Sequence, residues 1–159
     1  MSKNFAASAY YAGESYGEMR ISSVSPCAEW EVCGADENVL RVRLASPVPA
    51  GGRCEISVAY TLTLANVDHR TGVTEHTANL GNFYPVLCVW EAGSGYRECV
   101  YASNGDPFYS ACADYAVSLT VPASYTAASP GTVAAAEESG GRRQYEMALQ
   151  NARDFAAAL

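Results

Sequence analysis

The chain reads as an all-β protein, an antiparallel β-sandwich, on three observations. From Cys54 to Leu64 apolar positions alternate with polar or small ones: Cys54, Ile56, Val58, Tyr60, Leu62 and Leu64 share one side, and Glu55, Ser57, Ala59, Thr61 and Thr63 the other. Successive side chains of a strand point to opposite faces, so this spacing describes a long, half-buried strand. Tyr115, Val117, Leu119 and Val121 repeat the pattern, and Pro122, which has no N–H for a ladder, ends it. Finally, 11 Tyr and many Val and Thr are set among 13 Gly and 7 Pro, a composition of short strands and tight turns. Closely spaced strands with Gly and Pro punctuation indicate a sandwich.

Taken in order, residues 38–44 form a strand with Leu40, Val42 and Leu44 on one face, and PVPAGG (47–52) is a turn. With the strand at 53–65 this predicts a hairpin. Residues 85–91 are apolar on both faces through Val86, Leu87, Cys88, Val89 and Trp90, the pattern of a central strand, and Gly93 and Gly95 turn the chain into 97–101. After the strand at 115–121, residues 125–129 and 132–138 flank Pro130–Gly131 as a further hairpin, and SGGRR (139–143) is another turn. The last segment, 144–159, sets two arguments against each other. Its Ala, Leu, Glu, Met and Gln favour helix, with Tyr145, Ala148, Leu149, Ala152, Phe155, Ala156 and Leu159 on one helical face.

At 159 residues the chain fits one domain, 1–159, with enough length for a real core. Hydrophobic residues at 49% against 17% charged place it among folded globular chains. A net charge of −7, with no basic stripe, argues against a nucleic-acid partner. No apolar run approaches the roughly 20 residues of a membrane helix, and the start, MSKNFAASAYY, lacks the apolar core of a signal peptide. Six cysteines (Cys27, Cys33, Cys54, Cys88, Cys99, Cys112) include no C-x-x-C pair, so buried free thiols are the first reading and disulfides the second. Cys88 and Cys99 flank the Gly93–Gly95 turn, where a hairpin would bring them near one another.

Four motifs stand in a fixed order: NLGNFYP (79–85), VWEAGSGY (89–96), GDPFYSACADYAVSLTVP (105–122) and ARDFA (152–156). This order resembles the N-terminal β domain of M1-family zinc aminopeptidases, in a bacterial branch carrying NLGNFYP, GDPFYS and RDFA. The resemblance covers roughly residues 16–158 and is strongest over 79–122. It implies two short strands at 144–159, the second opened by RDFA, and strands are expected there because tertiary pairing overrides propensity. The family's N-terminal domain is usually longer, so the resemblance implies either a domain truncated at both ends, a fragment of a larger metallopeptidase, or a divergent short relative. It also implies an extracytoplasmic or membrane-anchored parent.

The chemistry of an M1 peptidase is not in this chain. Its zinc is held by HEXXH on a helix, one turn setting two imidazoles on one face, with a downstream Glu. Here His69 and His76 are the only histidines, neither begins an HEXXH, and the G-x-M-E-N motif is missing. The expectation is therefore no catalytic residue, no metal ligand and no cofactor in this chain; zinc belongs to the missing catalytic domain. The loop DHRTGVTEHTANLGN (68–82) is the remaining polar cluster, read first as a solvated connection and only weakly as a metal site at His69, Glu75 and His76. In the family the stretch before the conserved Pro often sends a polar side chain toward the substrate's amino group, which the resemblance carries to Glu75, His76 and Asn79. A carboxylate there would pair with an ammonium through charge-assisted hydrogen bonds. The Asn82–Pro85 and GDPFYS motifs are read as anchors of turns to the core.

The resulting expectation is a noncatalytic N-terminal domain of an M1-like zinc metallopeptidase, packing on the parent's catalytic domain and shaping a cleft for a peptide substrate. The alternative is a free-standing extracytoplasmic β-sandwich module that binds peptide or glycan through exposed Tyr rings. Self-association through an exposed edge is expected of a sheet that has lost strands.

Overall fold

The computed structural model describes residues 16–100 and 109–159, and for 135–137 the backbone alone. Every regular element among these residues is a β-strand, and the ladders run antiparallel. The all-β expectation holds. The described residues divide into two compact units: the first holds 16–18, Thr63–Tyr84 and Ser110–Leu159, the second Met19–Leu62, 85–100 and Tyr109.

In the second unit, β1 (Glu18–Ser25) neighbours β4 (Ser57–Thr63), and β2 (Glu29–Cys33) pairs with β3 (Val39–Arg43). Thus the hairpin expected between 38–44 and 53–65 does not form: β3 turns back on β2, and β4 goes to β1. The β2–β3 turn is built from Gly34 at φ 91° and Glu37 at φ 50°. Cross-strand partners Glu29 and Arg43 form an ion pair, as do Glu31 and Arg41 at 2.7 Å. Both pairs are exposed and fix register more than they add stability. Over β4 the expected alternation is present, Val58, Tyr60 and Leu62 half-buried and Ser57, Ala59, Thr61 and Thr63 exposed, but the strand is shorter than the expected 53–65, and Cys54 and Ile56, expected on the buried side, precede it and are exposed. Ser22 donates its hydroxyl to the Ala59 carbonyl at 3.0 Å.

β7 (Trp90–Glu91) and β8 (Gly95–Tyr96) form a short hairpin, extended by the Arg97 N–H to the Val89 carbonyl at 2.9 Å. The central strand expected at 85–91 is not found: Leu87 is 76% exposed and Trp90 64%. Apolar residues on both faces describe a buried strand only if layers cover both faces, and no described element does so here. All six cysteines are free thiols, but none is buried as expected: Cys54, Cys99 and Cys112 are exposed and Cys27, Cys33 and Cys88 half-buried, because the strands they lie on or flank are covered on at most one face. Burial pushes the Cys88 thiol pKa up, helped by the neighbouring Cys99 and Glu98.

The first unit carries a three-stranded sheet in the order β10 (Thr132–Ser139), β11 (Arg142–Ala152), β9 (Ala113–Pro122). β10 and β11 meet at a two-residue turn, Gly140 and Gly141, both with positive φ (60° and 75°), as such hairpin turns demand. So β10 pairs with β11 and not with 125–129 as expected; Ala128 instead bridges Ala158. A second sheet runs β12 (Ala156–Ala158), β6 (Ala78–Gly81), β5 (Thr71–Val73). The C-terminal segment is therefore two strands, the reading preferred over helix. β11 pairs along both its edges, which satisfies its backbone groups, and it buries Tyr145 and Met147 at period two.

The core of this unit is Val121, Ala127, Tyr145, Met147, Phe155 and Ala157, with Leu80, Phe83, Tyr84, Tyr115, Val117, Leu119 and Leu149 packed against it. Phe155 is 1% exposed, a burial that stabilises by roughly 1.5–3 kcal/mol. The motifs of the chain converge on it. Phe83 lies 6.4 Å from Phe155 between ring centroids, Tyr115 lies 6.0 Å from it, and Tyr84 stands 5.7 Å from Tyr115. Ser110 donates to the Arg153 carbonyl at 2.9 Å, and Arg153 returns a bond to the Ser110 carbonyl at 2.8 Å. The NFYP segment is an anchor, as read, and the RDFA segment, read only as the opening of a strand, meets it in the core. In GDPFYS only Tyr109 and Ser110 fall within the described residues; 105–108 lie outside them.

Candidate functional site: an open polar hollow at the β5–β6 turn

β5 and β6 are in register at Val73 and Ala78. The Thr74 N–H reaches the Thr77 carbonyl at 2.8 Å, which leaves Glu75 and His76 as the two tip residues. Two-residue tips usually need positive φ, and neither residue adopts it. The Thr74 hydroxyl takes up the turn instead, accepting the N–H groups of His76 (3.3 Å) and Thr77 (3.1 Å). Thr74 and Thr77 also share a hydroxyl–hydroxyl bond at 2.9 Å.

The tip side chains reach into water, Glu75 88% and His76 83% exposed, with His76 Nε2 3.9 Å from Glu75 Oε2. They line a hollow of about 430 Å³ whose other walls are Ser124, Tyr125, Thr126 and Leu159. Two of these walls, Leu159 and Tyr125, are fixed from behind. Leu159 exchanges backbone bonds with Ala78 at 2.9 and 3.0 Å, the Tyr125 N–H binds the Pro122 carbonyl at 3.0 Å, and the Tyr145 hydroxyl donates to the Tyr125 carbonyl at 3.2 Å. Arg143 beside Tyr145 holds that phenol below its ordinary range. The hollow thus brings one carboxylate and one imidazole together with Ser124, Tyr125, Thr126 and Leu159, the Thr126 hydroxyl being engaged with Tyr145.

Of the residues expected to face a substrate, Glu75 and His76 share this hollow and Asn79 does not. Asn79 donates its amide to the His69 carbonyl at 3.0 Å and lines a separate hollow, also about 430 Å³, beside Arg70, Gly81, Ala128, Pro130 and Ala156. The cause is the pleat: Asn79 sits on β6 three residues past the tip, where its direction is set by the sheet. Among the described residues no three His, Cys, Asp or Glu side chains are grouped to hold a metal, so His69 and His76 do not meet in such a cluster. Ser124, Tyr125 and Thr126 escape sequence reasoning, since PASYTAASP carries only the composition of a strand or turn.

These observations define a class, an antiparallel all-β protein with a carboxylate–imidazole tip over an open polar hollow. Comparison with protein-family models, with curated proteins and with solved structures finds no match to this chain.

Proposed function

We propose that the chain is a noncatalytic β domain of the kind that precedes the catalytic domain in M1-family zinc metallopeptidases, with the β5–β6 tip bordering a cleft for peptide. The observation that carries this reading is Glu75, held at the rim of the hollow by the Thr74-capped turn. An exposed carboxylate suits the ammonium of a peptide's first residue, accepting charge-assisted hydrogen bonds, with Tyr125 on an adjoining wall. The four ordered motifs support the same reading. The zinc it implies belongs to the catalytic domain, and no chemical step is assigned to residues of this chain.

The test begins with the reading frame around the coding segment, where an HEXXH with a downstream Glu is expected after residue 159. In that full-length protein, Glu75→Gln raises KM for substrates with a free amino terminus and leaves kcat nearly unchanged. A reading frame without a peptidase domain, or a Glu75→Gln enzyme with wild-type KM, overturns the proposal.

A further inference from the structure

The three-stranded sheet of the first unit has two outer edges, and they are guarded differently. Along β10 the register slips between Ala134 and Ala136, and Glu138 stands near the end, tied to Arg143 at 3.4 Å. A bulge and a charge are common guards of an open edge. β9 has neither over its middle. Its register with β11 is unbroken from Pro122 to Tyr115, and its exposed residues Ala116, Ser118 and Thr120 are uncharged. No described strand pairs with its far side.

Pro122 fixes which groups that edge presents. It has no N–H, so the Arg142–Pro122 pair cannot exchange ladder bonds, and bonded and non-bonded pairs alternate along an antiparallel ladder. Tyr115, Val117, Leu119 and Val121 therefore bond to β11, while the N–H and C=O groups of Asp114, Ala116, Ser118 and Thr120 point away from it. Two side-chain bonds agree. The Thr120 carbonyl is free to accept the Arg142 guanidinium at 3.1 Å. The carbonyl of Ala148, the residue opposite Ala116, points the other way and accepts the Thr132 hydroxyl of β10 at 3.4 Å.

The apolar row of β9 says what completes this edge. Tyr115, Val117 and Leu119 pack against the core yet stay half-buried, with no strand beside them. The occupant must be extended and must carry its own apolar side chains at period two on the core side. A second β9 meets both demands. Turned about a two-fold axis perpendicular to the sheet, it runs antiparallel and keeps its apolar row on the same face. Two positions limit the register, since Arg142 already holds the Thr120 carbonyl and Pro122 offers no N–H. A two-fold at Ser118 would need both. A two-fold at Ala116 needs neither, and sets Asp114 opposite the second copy's Ser118 and Tyr115 opposite its Val117. The one carboxylate on this stretch, Asp114, is held by the Asn151 N–H at 2.8 Å and meets no like charge across the axis.

We propose that the chain self-associates as a two-fold dimer through the β9 edge about Ala116, joining two three-stranded sheets into one antiparallel sheet. The site does not rest on the M1-like reading, and Glu75→Gln is expected to dimerise as the wild type does. Sedimentation of the chain from micromolar to millimolar concentration should show a mass rising toward twice 16.9 kDa. Ala116→Pro should stay monomeric and folded, because the N–H it removes points outward and not to β11. Ala116→Lys, which keeps the N–H and sets two like charges against each other, should weaken the dimer. Circular dichroism confirms that both variants keep their sheet. Amide exchange adds a direct readout: the Ala116 and Ser118 amides should slow as concentration rises, while Val117 is slow throughout. A strictly monomeric wild type at millimolar concentration overturns the proposal and leaves the edge to a strand of another protein. A dimer that both Ala116 variants still form as the wild type does, or that leaves the Ala116 and Ser118 amides unprotected, overturns it too and assigns the contact to another surface.

Discussion

The hydroxyl oxygen of Tyr84 accepts the backbone N–H of Phe155 at 2.7 Å, joining positions 71 residues apart. One residue comes from NFYP and the other from RDFA, so a single bond closes the first unit between two of its sequence motifs. Tyr84→Phe keeps the ring and removes the acceptor, leaving a partly buried N–H without a partner. It is expected to cost about 1–3 kcal/mol in urea melts, while Phe155→Ala, which also opens a cavity, costs about 3–5 kcal/mol. Equal stability of Tyr84→Phe and wild type would show that water replaces the hydroxyl.

The same hydroxyl makes stability depend on alkali. Burial, with Tyr115 adding to it, pushes the Tyr84 pKa well above the ordinary tyrosine range. Between the unfolded value, about 10, and the higher folded value, the unfolded chain binds fewer protons than the folded one. Stability from this group is therefore complete below about pH 10 and falls as pH rises further. Denaturation midpoints at pH 8 through 11 should decline for the wild type and decline less for Tyr84→Phe. Parallel curves would remove Tyr84 as the cause.

Two glycines of one hairpin separate backbone strain from steric clash. Gly131 (φ 86°) would place a Cβ 2.2 Å from the Ala148 carbonyl oxygen, whereas Gly140 (φ 60°) has nothing within 4 Å. Gly140→Ala should cost about 1 kcal/mol, the strain alone. Gly131→Ala adds a backbone collision and should cost at least about 2 kcal/mol more. Similar thermal shifts for the two variants would mean that β10 moves away from β11 at little cost.

On β4 the two faces should respond differently to charge. Val58 is half-buried and Thr61 exposed. Val58→Asp takes a carboxylate out of water without a partner and should destabilise by about 1–3 kcal/mol. Thr61→Asp should stay within about 0.5 kcal/mol of wild type. Equal losses in urea melts would show that both faces of β4 are covered.

The sequence by itself determined which side chains share a face and where the chain turns. Tyr115, Val117, Leu119 and Val121 lie inward on β9, and the SGG turn sits between β10 and β11. These are local properties: alternation follows from the pleat, and positive φ is open to glycine wherever it occurs. Pairing was decided only by tertiary structure, since nothing local tells β3 to choose β2 over β4, or Ala128 to choose Ala158 over β10. The C-terminal strands lay between the two. The Arg143, Tyr145, Met147, Leu149 alternation is present in the sequence but is masked by helix-favouring residues until β9 and β10 flank it. Exposure was decided last. Val86, Leu87 and Trp90 read as core because apolar side chains are usually covered, yet covering them takes a partner layer that their own sequence does not specify. The hollow has the same origin: Glu75 and His76 were legible only as polar residues of a solvated connection over 68–82, where the structure has the paired strands β5 and β6 with these two at the tip, and Tyr125 and Thr126 come to it from some fifty residues away.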